Sequence, residues 1–187
     1  MDTTLKLENR EALPERLRVL VEELPRSGWD AHPNFDGLTK FWLDRHLMFR
    51  DVLGRLRTGS EGFLDNQREL MAHARETQRY AGFLLNELHG HHHIEDVHYF
   101  PALQGLDPRL EDGFELLDGD HHALDGHIHA LAEKTNAFLQ SVSEGGSRDA
   151  AGRLHESLAG FETFLDRHLD DEEDLVVPVI LKFAPKL

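Results

Sequence analysis

Two segments of the chain carry one phrase: His91-x-x-x-Glu95 ahead of Pro101, and His168-x-x-x-Glu172 ahead of Pro178. In both, the histidine stands ten residues before the proline and the glutamate six, so ligand types, spacing and the expected helix terminator repeat together. Residues four apart on an α-helix lie one above the other, about 5 to 6 Å apart. Such a pair can present an imidazole nitrogen and a carboxylate to one metal, or let the carboxylate join two. One copy arises readily by chance among 14 His and 35 Asp plus Glu; two matched copies do not.

Four long stretches have helical periodicity: about Asp36 to Arg57, Asn66 to Ala102, Pro108 to Val142, and from Ser147 into Val176 and Val177. Breaks are expected at Thr58, Gly59, Ser60 and Gly62, at Pro108, and at Gly145 and Gly146, with Ser147 as an N-cap. Ahead of these, Pro14 to Leu24 reads as a short amphipathic helix bearing Leu17, Leu20, Val21 and Leu24, closed by Pro25. Few segments look like strands.

Steps of three and four residues along each helix select its inward line. The fourth helix gives Leu154, Leu158, Phe161, Leu165, His168, Glu172, Leu175 and Val179. The second gives Leu70, Ala74, Thr77, Ala81, Leu84, Leu88, His91, Glu95, His98 and Ala102. The third gives Phe114, Leu117, His121, Leu124, Ile128, Leu131 and Phe138, and the first Trp42, His46, Phe49, Leu53 and Leu56. Adding 75 superposes the first line on the third, and adding 77 superposes the second on the fourth. The pattern therefore predicts an all-α, up-down-up-down antiparallel four-helix bundle over residues 36–187, made of two like hairpins. Residues 1–35 are expected to pack on it, within one domain overall.

With 187 residues, 40% of them hydrophobic, the chain is long enough for a sizeable core, and no apolar run approaches the roughly 20 residues of a membrane span. The expected location is the cytoplasm, since MDTTLKLENREALPERL has neither a secretory nor a transit pattern. A formal charge of −15 and the lack of a basic cluster argue against nucleic acid as a partner. There is no cysteine, so a metal must be held by His, Asp and Glu, a donor set suited to iron, manganese or zinc.

A lone histidine on an apolar face is most often a core residue satisfied by a hydrogen bond. Here four imidazoles and two carboxylates fall on buried lines with no Lys or Arg beside them. Burying such charges without a compensating cation would cost several kcal/mol each, and a metal centre removes the difficulty. His98, one turn after Glu95, reads as an extra ligand, a donor to a ligand or a packed histidine. Asp125 reads as an acceptor for an imidazole nitrogen. His73, His89, His92, His93, His122, His127, His129 and His155 read as mostly solvated.

Residues 36–184, with HHHIEDVHYFPAL, DHHALD and HLDDEEDLVVPVI, resemble the hemerythrin-like, or HHE cation-binding, family of four-helix bundles. Ferritin-like bundles use Glu-x-x-His pairs instead, which these lines lack. The resemblance implies a non-haem di-iron centre with an oxo or hydroxo bridge, His46, His91, His121 and His168 as terminal ligands, and Glu95 and Glu172 as bridges. Zinc or manganese could substitute. Oxygen carriers proper have a histidine where this chain has Asp125, and an aspartate five residues after the histidine of the fourth helix. The chain is in these respects similar to bacterial and iron-sensing branches.

Binding of O2, NO or peroxide for storage, delivery or sensing is the expectation these features favour. Two alternatives stand beside it: a di-iron oxidase, peroxidase or nitric-oxide-handling enzyme, and a regulatory module that responds to iron or oxygen through a protein partner.

Overall fold

Asp36 starts the first long helix, its Oδ1 accepting from the backbone N–H groups of Leu38 at 3.0 Å and Thr39 at 3.2 Å. The computed structural model describes residues 5–186. Its α-helices are α1 (Val19–Glu23), α2 (Gly37–Leu64), α3 (Leu70–Ile94), α4 (Phe100–Leu103), α5 (Glu111–Ser141) and α6 (Arg148–Phe183). There is no strand among the described residues, and the expected all-α helical bundle is what the chain forms. None of the helices is long and apolar enough to cross a membrane.

Helix α2 does not break at Gly59, Ser60 and Gly62 as expected but continues to Leu64. These small residues leave room for Arg68: a Cβ at Gly59 would stand 3.4 Å from Arg68 Nη1, and one at Gly62 3.4 Å from Arg68 Cγ. The turn is made instead by Asn66, whose φ of 57° is left-handed, with Gln67 N–H bonding back to Gly62 O at 2.8 Å. At the next break Gly145 and Gly146 carry the positive φ angles, and Ser147 Oγ accepts from Ala150 N–H at 3.1 Å, capping α6 as expected.

Neither repeated proline ends its helix. Pro178 lies inside α6, where Val176, Val177, Val179, Ile180 and Leu181 are all buried. Burying each such side chain contributes about 1.5–3 kcal/mol, which together outweighs the roughly 3 kcal/mol cost of a proline. Pro101 lies in α4, just after a wide π turn over Glu95–Tyr99 in which Phe100 N–H bonds to Glu95 O.

That wide turn separates two half-sites that match in sequence. It inserts one residue into the period, so beyond Glu95 the buried positions become Phe100 and Leu103, while His98 and Ala102 face solvent. The inward placement expected for His98 is thereby corrected.

The chain divides into two compact units. One contains the described residues of Met1–Leu47, His91–Ala123 and Asp166–Leu187. In it the expected N-terminal helix is a 3₁₀ turn, Glu15–Leu17, followed by α1, and Leu17 and Leu20 join Trp42, Phe100, Phe114, Leu175 and Ile180 in the core. Val21 and Leu24 pack instead beside Trp29, Val177 and Leu181.

The other unit is Met48–Gly90 and Leu124–Leu165. His73 lies in its core rather than in solvent, stacked 5.1 Å from Phe63 and tilted against Phe138 at 4.9 Å. Burial, then the charge of Arg68, depress its pKa to about 4. The imidazole is therefore neutral when folded, whereas in the unfolded chain it titrates near 6.5. Its contribution to stability is full above pH 6.5 and is lost as pH falls towards 4. Urea titrations at pH 7 and pH 5 should show wild type losing about 2 kcal/mol more than a His73→Gln variant.

Candidate metal centre

Segments of α2, α3, the π turn that follows it, α5 and α6 bring seven ligand-type side chains together, all within the first unit. His46, His91, Glu95 and Glu172 form one group, and His92, His121 and His168 another. Within each group one ligand atom per residue lies within 4.8 Å of all the others. Bonds of about 2.0–2.2 Å place opposite ligands of one ion about 4–4.4 Å apart, so each group matches the shell of a single ion.

The two glutamates connect the groups. Glu95 Oε1 is 3.0 Å from His91 Nε2, and its Oε2 is 3.6 Å from His121 Nε2. Glu172 Oε1 is 3.4 Å from His46 Nε2, and its Oε2 is 3.4 Å from His168 Nε2. Each carboxylate thus turns one oxygen to each group, the arrangement of a bridge. Helical spacing explains the pairs within α3 and α6, while the pairs across helices come from tertiary packing.

All six residues read from the inward lines are brought together, and all six are buried. His92 was expected in solvent but is 4% exposed, with its ring stacked 4.2 Å from that of His121. His98 and Asp125 are exposed and take no part. The acceptor role expected of Asp125 falls to other acids. Asp96 Oδ1 is 2.6 Å from His121 Nδ1 and Glu173 Oε1 is 3.0 Å from His46 Nδ1, both within hydrogen-bond reach, while Asp120 Oδ2 stands farther off, 3.6 Å from His168 Nδ1. Sequence signals for them existed: Asp96 and Glu173 each follow a bridging glutamate and superpose in the repeat, and Asp120 precedes His121.

Whether these residues suit a metal is tested by what they lack without one. Both oxygens of Glu95, Oε2 of Glu172, Nε2 of His121, and both ring nitrogens of His92 and of His168 are buried with no hydrogen-bond partner. Orphaned buried polar atoms are costly, and here they converge. Trp42 Nε1 donates to Glu172 Oε1 at 2.5 Å, which orients that carboxylate while leaving Oε2 to the other group. The donor set and its orphaned atoms fit a pair of metal ions.

The electrostatics lead to the same conclusion. Burial pushes the Glu95 carboxyl well up, and the adjacent Glu172 charge pushes it further. Glu172 is drawn well below the usual carboxylate range, against its burial, by the His46 charge and by the adjacent His168 imidazole. His168 is raised to about 9 because Asp120 and Glu172 outweigh burial, and His46 is raised by Glu172 and Glu173 against the same penalty. Burial instead lowers His91 to about 3 and His92 well below its ordinary value. The raised pKa values of His46, His168 and Glu95 mean that metal ions loading onto these atoms compete with protons.

His92 separates the groups into one with three imidazoles and one with two. Metal analysis after gel filtration should show the His92→Ala variant retaining less metal than wild type, with about tenfold weaker affinity at one of two sites. His98→Ala should retain the wild-type amount.

The model of the hemerythrin HHE cation binding domain matches residues 37–180, which include every one of these seven residues. No curated protein and no solved structure gives a significant match. Helical bundle, paired half-sites and matched family model lead to one conclusion: the chain belongs to the hemerythrin HHE cation-binding domain family.

Proposed function

We propose that the protein is a non-haem di-iron binding protein that takes up O2 or a related small ligand, such as NO or peroxide, for storage, delivery or sensing. The observation that carries the reading is the placement of Glu95 and Glu172, each with one oxygen toward either histidine group. Two iron ions held there would supply a reversible change of charge and open positions for a small ligand.

The chain's residues define where such a ligand could enter. His92, His121 and His168, with Glu95 Oε2 and Glu172 Oε2, offer five donors. His46 and His91, with Glu95 Oε1 and Glu172 Oε1, offer four, so the second group leaves more room. Trp42 and Tyr99 wall that side: their rings stand 4.9 Å apart, and Trp42 lies 6.1 Å from the His91 ring. An aromatic wall on that side would limit the access of bulk water.

The hydrogen bonds of Asp96 and Glu173 hold Nδ1 of His121 and His46, leaving each Nε2 for the metal. Addition of O2 to anaerobically iron-loaded protein should produce a new optical band that disappears on argon flushing, with two irons per chain. Steady consumption of peroxide or NO above the rate of free iron would favour the enzymatic alternative. A Glu95→Gln variant should lose the band and about tenfold or more in iron affinity.

A further inference from the structure

Two arginines that precede the family-matched residues reach the acids standing behind the metal centre. Arg10 is buried, and its Nε donates to Asp171 Oδ2 at 2.7 Å. Its Nη1 donates to Leu5 O at 2.6 Å and to Asp120 Oδ1 at 3.3 Å, and its Nη2 to Asp120 Oδ2. Asp120 faces His168 Nδ1. Arg26, from a 3₁₀ turn over Arg26–Gly28, donates from Nη1 to Glu173 Oε2 at 2.5 Å and from Nε to Asp174 Oδ1 at 2.6 Å. Glu173 holds His46 Nδ1.

The result is two chains in the same order, though the Glu173–His46 link is a hydrogen bond of 3.0 Å and the Asp120–His168 link a longer approach of 3.6 Å. Arg10, Asp120 and His168 end on the three-histidine group, and Arg26, Glu173 and His46 end on the other. An imidazole offers Nε2 to a metal only while Nδ1 carries the proton, and a carboxylate accepting from Nδ1 sets both tautomer and ring direction. A guanidinium holds that carboxylate in place through its rigid fork of donors. Nothing in the repeated half-sites supplies these cations, since both come from residues ahead of the matched domain.

We infer that Arg10 and Arg26 are positioning residues for the metal centre, one for each metal. The inference rests on the two-metal reading above. Arg10, with 2% of its side chain exposed, should act more strongly than Arg26, with 42% exposed.

The test uses the full chain loaded anaerobically with ferrous iron, and follows iron release to a ferrous chelator by stopped flow. Wild type should release two irons in two resolved phases. Arg10→Met should accelerate one phase about tenfold and leave the other in place. Arg26→Met should accelerate the other phase by a smaller factor, and Arg10→Lys, which keeps charge without the fork, should recover part of the loss. Should Arg10→Met fail to fold, Asp120→Asn and Glu173→Gln make the same comparison, each expected to act on a different phase. A merely structural role of the N-terminal segment would move both phases alike. Equal acceleration of both phases by either arginine variant, or acceleration of neither, overturns the inference while leaving the two-metal reading intact. A wild type that holds one iron and releases it in one phase overturns that reading, and the inference with it.

Discussion

Two carboxylates, Glu95 and Glu172, lie fully buried and face each other across the same small space. In a low-dielectric interior such a pair repels and is poorly solvated, and the ordinary remedy is a partner of opposite charge. Without a metal the environment favours protons instead, raising the pKa of Glu95 and of the imidazoles of His46 and His168. That state still leaves eight buried ring or carboxylate atoms of the cluster without a hydrogen bond. Two divalent ions answer both problems together, and most of the surrounding architecture is arranged about that requirement.

Much of this was legible because helical periodicity and ligand chemistry coincide. The inward lines locate His46, His91, Glu95, His121, His168 and Glu172, and the repeat pairs them correctly. What escaped has distinct physical causes. His92 was excluded because an inward line one residue wide is narrower than the arc a packed helix buries, and a residue about 100° around α3 can face a second neighbour. A constant helical period through Glu95 puts His98 on the inward line, whereas the π turn adds a residue there and carries the side chain outward. The glycines of α2 read as breakers, yet they serve side-chain packing by Arg68, a distinction local sequence does not make.

The π turn also gives the near-symmetric centre its asymmetry. Glu95 and Glu172 superpose in the repeat, as do Pro101 and Pro178, yet only the first phrase widens into a π turn. On that side Tyr99 turns toward Trp42, and the chain of α3 resumes in α4 with Phe100 and Leu103 in the core. Two matching half-sites thereby acquire different walls as well as different histidine counts.

The central claim is that two metal ions share Glu95 and Glu172, and that His92 belongs to one of them. A crystal structure of the iron-loaded protein, with anomalous data at the iron edge, tests it most directly. The account predicts two anomalous peaks, one among His46, His91, Glu95 and Glu172 and the other against His92, His121 and His168, with each glutamate spanning both. A single peak, or two peaks with His92 turned away from either ion, would contradict it.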